Sequence, residues 1–500
     1  MSRRVDTVAV VGRDAPAWLA AAALKRSFGR TGLRVQVVEL PRLRAPADVY
    51  AAVPSLSSLH QLLGLDEWIV LGACRGVPMV AQRFSNWTKG GAPYFLAYDD
   101  EPAPGGYLPF TQYWLKGAIE GLRVGYEEFS LGTACARLGR VPVTAGPDDP
   151  LSASYGYQLD ALAYSELAKQ FALRIGVEAA SSTLHRVEVV GDRISAIELF
   201  DETRLNADLY VDASGPEMRL ISELESAEFE SWAKWLPCDR LLAASAPQML
   251  QLPSFSQVSA FGAGWVGLFP IRHRTGVIAA YNSSAVRDQE LAEHISVVAR
   301  MPLQGDAVVS QLRPGAQKKP WIGNCVTVGE AAVAVDPIDA LDLHVAHGCI
   351  SHLITLFPAD AQSFPEAEEY NRTIRLFGSN IRDFQAAHYK FNRRFDEPFW
   401  DDARDANMPE SFQRRFDTFD ARGIVTLYDE ESFHEQSWAT LFLGCGVKPS
   451  GYDPRVDVVP NEEHIGKVQQ RLRDVANVAQ RMPTAEEFLV EDRAPAQVRA

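Results

Sequence analysis

The sequence has few cysteines, and none of them form a CxxC pair. The 500-residue chain contains six, which are scattered along its length. This spacing argues against a zinc site or a disulfide framework and is typical of reduced, buried thiols. We therefore expect a protein without a metal site. The six are Cys74, Cys135, Cys238, Cys325, Cys349 and Cys445.

Long apolar runs and an excess of positive charge are also missing. No apolar segment approaches the roughly 20 residues that cross a bilayer, and no signal segment precedes Val5. The net charge of −15 disfavours nucleic acid and anionic membrane surfaces as partners, because both require a basic face on the protein. We therefore expect a cytoplasmic protein whose partner is a small molecule.

The chain does contain, at its start, the order of a dinucleotide-binding unit. Val5–Val11 is typical of a buried strand, a helix follows Gly12, and Val35–Glu39 is typical of a second strand that ends in an acid. Gly12 takes the first position of the glycine fingerprint, but Asp14 and Ala17 stand at the second and third. Glu39 is placed to bind a ribose hydroxyl. The segment predicts a Rossmann-like unit with two alternatives. Either it still binds a nucleotide, or it binds one weakly or no longer at all.

The segment 321–358 predicts a ligand pocket. Cys325–Val328 is typical of a buried strand, and the small residues Gly329 and Ala332 follow it. An Asp336-Pro337 turn then leads into an amphipathic helix, predicted for Leu341–Phe357. Backbone N–H groups and the positive end of a helix favour an anionic ligand at such a turn.

Further segments continue this alternation of strands and helices. Tyr155–Val177 has apolar residues at helical spacing. Arg186–Val190 and Ile194–Phe200 predict a hairpin. Leu209–Gly215, with the sequence LYVDASG, predicts a buried strand followed by a glycine turn.

Together these segments resemble the flavin-dependent tryptophan halogenases. The LYVDASG strand is similar to one found widely in FAD-dependent monooxygenases, and Arg83–Trp87 is similar to a halogenase strand that ends in F-x-N-W. Gly262–Ser284 resembles the halogenase signature W-x-W-x-I-P and keeps Trp265 as its first tryptophan. Trp321–Pro337 resembles the halogenase stretch around N-C-V. The resemblance extends in order over residues 5 to about 454.

The resemblance implies an α/β fold. It would combine a Rossmann-like FAD-binding module with mixed sheets, an interleaved substrate lobe and a helical C-terminal lobe. The FAD module would occupy residues 1–358, interrupted by substrate-lobe segments at about 80–150 and 225–310. Residues 359–465 would form the helical C-terminal substrate lobe, and residues 466–500 a terminal helix and a flexible tail.

The resemblance also implies a cofactor and a reaction. In the family, reduced FAD comes from a separate flavin reductase, and its reaction with oxygen oxidises a halide. A lysine then delivers the halogen to a small aromatic substrate. FAD binding that is weak or lost is the alternative for this chain. The residues implied to hold FAD are Gly12, Ala17, Glu39, Asp212, Gly215, Gly329, Ala332, Asp336 and Pro337.

The chain departs from the family where the halogenation chemistry lies. The family lysine corresponds to Met79, and the interval Lys25–Lys89 contains no other lysine. The catalytic glutamate corresponds to Asp339, and the halide position corresponds to Leu341 and Asp342. A carboxylate at a halide site is unfavourable because like charges repel strongly in a low dielectric. We therefore predict that halogenation is the doubtful part of the activity.

Aromatic residues stand at the positions that would face the substrate. One of them, Tyr98, ends a predicted aromatic turn, Tyr94–Tyr98. A place in the hydrophobic core is the competing interpretation for each, because large aromatic side chains are usually buried there. The four are Tyr98, Trp265, Phe269 and Trp438.

Two functions of different class follow. The first is an FAD-dependent enzyme of the monooxygenase or halogenase type that acts on an indole-like substrate. The second is a non-catalytic paralogue that binds an aromatic ligand or a partner. In a third hypothesis, Asp336, Asp339 and Asp342 supply oxygen ligands to a different cofactor, although an acidic helix N-terminus explains their spacing as well. A homodimer is left open.

Overall fold

The computed structural model describes residues 3–99, 108–143 and 151–491. Contacts divide the chain into two compact units whose segments alternate along the sequence. The functional lobes expected at 1–358 and 359–465 stay predictions, because the two units are defined by contacts alone. The first unit comprises Met1–Gly76, Leu159–Ala244 and Ala307–Arg382, and the second comprises Val77–Gln158, Ser245–Asp306 and Asp383–Ala500.

The first unit is a mixed α/β structure; each element is assigned to the unit that contains most of it. Its helices are Asp14–Phe28, Leu56–Leu63, Glu67–Ala73, Ala161–Arg174, Asp342–Thr355 and Glu366–Lys390. Its strands are Thr7–Gly12, Arg34–Glu39, Val49–Ala52, Glu178–Ala179, Leu184–Val190, Arg193–Leu199, Arg204–Leu205, Leu209–Ala213, Phe229–Ser231, Arg240–Ala246, Gln304–Gln311, Gly315–Gln317, Trp321–Ile322, Cys325–Thr327 and Val333–Ala334.

The central sheet of the first unit is largely parallel. The edge strand Trp321–Ile322 pairs antiparallel with Cys325–Thr327, and the other neighbouring strands pair parallel. Gly12 lies opposite both Ala213 and Glu39. The carboxyl ends of the parallel strands therefore meet along one edge, which is where open α/β sheets bind ligands. In spatial order the strands are Trp321–Ile322, Cys325–Thr327, Leu209–Ala213, Thr7–Gly12, Arg34–Glu39 and Glu178–Ala179.

Gly12 lies where this sheet leaves no room for a side chain. A Cβ atom at Gly12 would overlap the carbonyl group of Ala213 in the adjacent strand. On the other side, Leu40 donates its backbone N–H to the Gly12 carbonyl at 2.8 Å. The close approach of three chain segments explains why the first fingerprint glycine is present although the other two positions hold larger residues.

The predicted hairpin is present and is tied to the sheet by Asn324. Its strands, Leu184–Val190 and Arg193–Leu199, pair antiparallel. The Asn324 side chain accepts a hydrogen bond from the Ile194 N–H and donates one to the Ile194 carbonyl, both at 2.9 Å. Since Asn324 directly precedes the strand Cys325–Thr327, these two bonds fix the hairpin to the sheet.

The second unit contains a sheet and the C-terminal helices. Gly264–Ile271 is buried along its whole length; it pairs antiparallel with Arg274–Tyr281 and Phe255–Phe261, and the latter pairs parallel with Ala81–Ser85. The strands are Val77–Met79, Ala81–Ser85, Tyr94–Ala97, Gly156–Asp160, Phe255–Phe261, Gly264–Ile271 and Arg274–Tyr281. The helices are Phe110–Ile119, Leu131–Arg137, Asp288–Ala299, Pro398–Asp405, Glu410–Arg422, Glu435–Gly444, Asn461–Arg481 and Ala485–Glu491.

Two local predictions are wrong. The helical spacing of Tyr155–Val177 begins too early, because the strand Gly156–Asp160 precedes the helix Ala161–Arg174. Asp160 marks the boundary, since its carboxylate accepts a hydrogen bond from the backbone N–H of Ala163 as a helix cap. The turn predicted at Tyr94–Tyr98 is largely the strand Tyr94–Ala97.

The C-terminal segment also differs from the predicted terminal helix of 466–500. The helix Asn461–Arg481 begins before residue 466, and a second helix, Ala485–Glu491, follows it. The end of the segment 466–500, where a flexible tail is predicted to follow the helix, lies outside the described residues from 492 onward, as do residues 1–2, 100–107 and 144–150. Among the helices that are described, none combines the length and the apolar character that a membrane crossing needs.

Candidate functional site

A cavity of about 660 Å³ lies within the first unit, at the carboxyl edge of its parallel sheet. The turns that follow three of the strands contribute to it, through residues of the segments 13–16, 213–219 and 328–335. Residues of the segments 43–50 and 308–313, together with Leu241, Ala243 and Asp342, complete the lining. This volume is typical of a small-molecule or cofactor site.

The eroded fingerprint turn forms one wall of the cavity. Asp14 has a φ of 53°, the left-handed conformation that glycine ordinarily provides and that aspartate tolerates better than most residues. One oxygen of Asp14 accepts the Leu43 N–H at 3.2 Å. The other oxygen, like the Nε of Arg13, is buried and has no hydrogen-bond partner in the described part of the chain. The turn therefore keeps its backbone shape and presents unused polar atoms.

Arg44 is held at the cavity by two carboxylates. Its guanidinium lies 3.2 Å from Glu330 and 3.0 Å from Asp342, and it stacks over the ring of Tyr50 at 5.0 Å. The prediction treated Asp342 as a repulsive charge at the halide position. Arg44 offsets part of this charge at contact distance, and the halide position itself stays a prediction.

Burial changes the protonation of two cavity residues. It raises the pKa of the Glu330 carboxyl from 4.5 to about 7, an effect that Arg44 opposes and that Asp342 and Asp14 reinforce. Burial also raises the pKa of the Tyr50 hydroxyl. Glu330 is therefore a group that gains or loses a proton near neutral pH, whereas Tyr50 stays protonated.

The predicted cofactor residues Asp212 and Gly215 shape the turn after the third sheet strand. The fully buried Asp212 carboxylate accepts hydrogen bonds from Ser214, by its N–H and its hydroxyl, and from the backbone N–H groups of Leu220 and Ile221. Gly215 has a φ of +74° and faces the cavity. Asp212 thus organises the turn internally, and Gly215 provides the surface that a ligand would meet.

Of the predicted residues of the central stretch, Asp342 lines the cavity and the others lie beside it. Gly329 has a φ of +66° and packs near Pro16; Ala332 and Asp339 are buried. Asp336 is buried and caps the turn that begins at Pro337, where its carboxylate accepts the Ile338 N–H at 3.0 Å. These residues hold the backbone in place.

The hypothesis that Asp336, Asp339 and Asp342 supply oxygen ligands to a different cofactor is not supported. Asp342 binds Arg44, and Asp336 caps its own turn. Within residues 3–99, 108–143 and 151–491, no three His, Cys, Asp or Glu side chains are grouped as metal ligands would be. Leu341 is fully buried, so the helix that follows starts from a packed position rather than from an open acidic site.

Glu39 and Ala17, the predicted contacts to the nucleotide, lie outside the cavity lining. The Glu39 carboxylate forms an ion pair with Lys169 at 2.5 Å and accepts a hydrogen bond from the Trp18 indole at 3.3 Å. Lys169 also lies over the Trp18 ring at 5.3 Å. Ala17 is fully buried in the first helix. The ribose-binding acid is therefore already engaged by protein groups.

Met79, predicted to stand at the position of the family lysine, and the predicted signature aromatics Trp265 and Phe269 lie in the second unit. Met79 is fully buried in the strand Val77–Met79. Trp265 and Phe269 are buried in one strand, and the Trp265 indole donates to the Tyr389 hydroxyl at 3.1 Å. A Cβ at Gly267 would overlap the Phe269 ring, so this packing leaves no space for the second signature tryptophan.

Trp438 lies among other aromatic rings. It is fully buried, with Phe384 at 4.9 Å and Phe442 at 5.5 Å between ring centroids, and Arg415 lies 4.1 Å over its ring. This favours the core interpretation for Trp438. Tyr98 is half-buried, and its contact with a substrate stays a prediction.

The sequence reasoning did not single out Arg13, Arg44 or Glu330. Glu330 directly follows the fingerprint-like Gly329, and Arg44 lies in the loop after Glu39. Only Arg13 directly follows a buried strand, which is a signal that the sequence offers. The partners of Arg44 and Glu330 are far away in the sequence, so nothing local identifies these two residues.

Comparison with known proteins places the whole chain in one group. The family model described as "Tryptophan halogenase" matches residues 7–461. Tryptophan 7-halogenase RebH of Lentzea aerocolonigenes is 23% identical over 98% of this chain and 99% of its own. Tryptophan 6-halogenase ThaL of Streptomyces albogriseolus is 25% identical over 95% of each chain.

Two solved structures have the same fold. BrvH, a flavin-dependent halogenase from Brevundimonas sp. BAL3, superposes with a TM-score of 0.91 at 28% identity, over 98% of this chain and 99% of its own. Xcc4156, a flavin-dependent halogenase from Xanthomonas campestris, gives 0.91 at 27% identity, over 97% and 98%. The predicted family resemblance and the α/β fold class are confirmed.

Proposed function

Because this chain belongs to the tryptophan halogenase family, whose flavin-dependent members use reduced FAD from a separate flavin reductase, we propose that it binds reduced FAD and uses it with oxygen to oxidise a small aromatic, indole-like substrate. The observation that carries the proposal is the cavity of about 660 Å³ at the carboxyl edge of the parallel sheet. Its size and its place at the strand ends suit a flavin.

The polar atoms of the cavity fit the flavin end of FAD. Arg13 forms an ion pair with Glu217 at 2.6 Å through its terminal nitrogens, while its buried Nε–H and one buried oxygen of Asp14 have no partner in the described part of the chain. A phosphate needs donors and a ribityl chain needs acceptors for its hydroxyls, so Arg13 would hold the phosphate and Asp14 a hydroxyl. Gly215, with no side chain, lets a ligand approach the backbone.

The chain's own charges would orient the cofactor. Arg44 is fixed by Glu330 and Asp342, so it provides a positive group that does not swing away. When bound, reduced FAD supplies two electrons for the activation of oxygen. Glu330, whose carboxyl has a pKa of about 7, can take up or release a proton at the cavity near neutral pH.

Oxidation without halide is the favoured outcome over halogenation. In halogenation the family lysine presents a side-chain N–H, and Met79 has none. Met79 is also fully buried, so no solvent-borne group takes its place. The charge of Asp342 is a weaker argument against a halide than the sequence indicates, because Arg44 pairs with Asp342 as well as with Glu330. The predicted lysine position therefore carries most of this part of the proposal.

The second candidate function is a non-catalytic paralogue that binds an aromatic ligand or a partner. The ion pair of Glu39 with Lys169 favours it, because it occupies the acid that would bind the nucleotide ribose. In this alternative the fold is kept for binding, and no flavin reaction takes place. Flavin affinity distinguishes the two functions.

The test is a titration of the purified protein with oxidised and with reduced FAD, followed by flavin fluorescence and absorbance. We expect dissociation constants in the micromolar range or lower, and at least about tenfold weaker binding for Arg13→Gln. Arg42→Gln is the matched control, because Arg42 is exposed and pairs with Glu166. Absence of binding by both redox forms would leave the paralogue function.

A turnover assay then separates oxidation from halogenation. The protein is supplied with a flavin reductase, oxygen and indole, with and without bromide. Oxygenated indole in both mixtures supports the proposal. Brominated indole as the main product would show that Met79 does not prevent halogenation, and consumption of reduced flavin without any indole product would favour the paralogue.

A further inference from the structure

We propose that the cavity recognises the flavin, ribityl and phosphate part of the cofactor and makes little use of its adenosine half, so that FMN binds about as tightly as FAD. This rests on the proposed function, because it assumes that a flavin binds. It concerns a different part of the molecule, namely the first strand–helix–strand segment, which in related folds grips the adenosine half.

The first step is the occupation of Glu39. Its carboxylate contacts Lys169 at 2.5 Å and the Trp18 indole at 3.3 Å. A ribose hydroxyl would have to displace these donors or share the carboxylate with them. The hydrogen bond that usually selects the adenosine ribose therefore yields little net free energy here.

The second step is the fingerprint turn. Pro16 has no backbone N–H to offer to a pyrophosphate, and the Asp14 carboxylate stands where the second glycine would let the pyrophosphate approach the backbone. Asp14 also bonds to Leu43 at 3.2 Å, which fixes its side chain at the cavity wall. A diphosphate bridge would meet a negative charge at this point.

The third step is the extent of the cavity. Its lining includes Arg13, Asp14 and Gly215, but none of Trp18, Glu39 or Lys169. The described cavity therefore ends at the turn and does not continue to the ribose acid. Arg13 and Arg219 lie at this end of the cavity, and both pair with Glu217, at 2.6 and 3.8 Å. Two guanidinium groups face one carboxylate here, so a single terminal phosphate would share them with Glu217.

The experiment measures the dissociation constants of FAD, FMN and riboflavin by fluorescence titration, and the ability of ADP to displace FMN. We expect the constants of FMN and FAD to agree within about threefold. Riboflavin should bind at least about tenfold more weakly, because it lacks the phosphate that Arg13 would hold. ADP in large excess should displace no FMN.

A variant tests the role assigned to Glu39. Lys169→Ala frees the Glu39 carboxylate, and we expect it to strengthen FAD binding by roughly three- to tenfold while leaving FMN binding unchanged. Gln170→Ala is the matched control, since Gln170 is exposed on the same helix and bonds only to Glu166 among the contacts described. This control should leave the ratio of the two constants as it is in the parent protein.

Each outcome decides one claim. FAD binding at least about tenfold tighter than FMN, or displacement of FMN by ADP, would overturn this inference and leave the proposed function standing. A Lys169→Ala variant that shifts both flavins equally would also contradict the assignment of Glu39. If none of the flavins binds, the proposed function fails and the inference fails with it.

Discussion

At the scale of single residues, the cavity depends on one cation shared by two acids. Arg44 contacts Glu330 and Asp342 at 3.2 and 3.0 Å, so its charge is divided between them. Burial then leaves the Glu330 carboxyl with a pKa of about 7 instead of 4.5. A carboxyl that holds its proton more tightly in the folded chain than in the unfolded chain makes stability depend on pH.

The sign of this dependence gives a testable prediction. Between about pH 4.5 and 7 the folded state binds the extra proton, so the free energy of unfolding falls as pH rises and is level above this window. The glutamine of Glu330→Gln does not ionise, so this variant does not show the fall in the free energy of unfolding. We expect the variant to equal the parent near pH 4.5 and to exceed it by about 1 kcal/mol near pH 8, a value reduced by solvent screening.

Urea denaturation across this pH range is the measurement. Glu223→Gln is the control, because Glu223 is exposed and should change the free energy of unfolding by less than about 0.5 kcal/mol at any pH. A constant difference between Glu330→Gln and the parent at all pH values would contradict the assigned protonation.

Met79 gives a second prediction at the residue scale. Met79→Lys places an amine at a fully buried position, and we expect a loss of about 3 kcal/mol or more in the free energy of unfolding. Met79→Leu keeps the volume and should cost less than about 1.5 kcal/mol. If Met79 marks the halogen-transfer position, brominated indole should form with Met79→Lys and not with Met79→Leu.

Circular dichroism and denaturation show first whether Met79→Lys is folded. A folded variant that forms no brominated indole, with reduced FAD, oxygen and bromide present, would show that Met79 is not the position of the family lysine. A small loss in the free energy of unfolding would show that the amine at position 79 reaches water or a polar partner.

At the scale of elements, the hairpin depends on the single side chain of Asn324. Asn324→Ala leaves the N–H and the carbonyl of Ile194 without their partners. Because both groups are buried, we expect a loss of about 2–4 kcal/mol in the free energy of unfolding. Hydrogen exchange should become faster in the hairpin strands Leu184–Val190 and Arg193–Leu199 before it changes in the rest of the first unit.

The exposed Asn206→Ala, close to the same hairpin in sequence, serves as the control and should stay within about 0.5 kcal/mol of the parent. A loss of the same small size for Asn324→Ala would mean that the apolar contacts of Ile194, Ile197 and Leu199 with the sheet hold the hairpin without the asparagine.

At the scale of the whole molecule, flavin binding should be visible as stability. A ligand that binds only the folded state adds about 2.7 kcal/mol to the free energy of unfolding at a concentration 100-fold above its dissociation constant. We expect this gain from FAD and from FMN, each at a concentration 100-fold above its own dissociation constant. Thermal and urea unfolding with and without each flavin are the measurements.

The net charge of −15 belongs to this scale as well. It disfavours nucleic acid as a partner, because a polyanion is repelled by an acidic surface, and the absence of nucleic-acid binding stays a prediction. The homodimer and the cytoplasmic location stay predictions; sedimentation velocity addresses the first. In the unfolding experiment with FAD and FMN, the proposed function would be contradicted if neither flavin increased the free energy of unfolding.

The sequence by itself determined the local elements and the family. Buried runs such as the predicted strand Val5–Val11 correspond to Thr7–Gly12 within two residues, because side-chain burial in a strand is recorded in neighbouring residues. The same is true of the predicted helix Leu341–Phe357, which corresponds to Asp342–Thr355. The motifs that carry the halogenase resemblance are also short runs of neighbouring residues, so they can be recognised in the sequence.

Only the tertiary structure decided which charges meet. Arg44 pairs with residues 286 and 298 positions away, and Glu39 pairs with Lys169, 130 positions away. Sequence reasoning left Asp342 as a repulsive charge and Glu39 as a free ribose acid, because the energy of an ion pair depends on a distance in space. That distance is set when the strands and turns of the first unit come together.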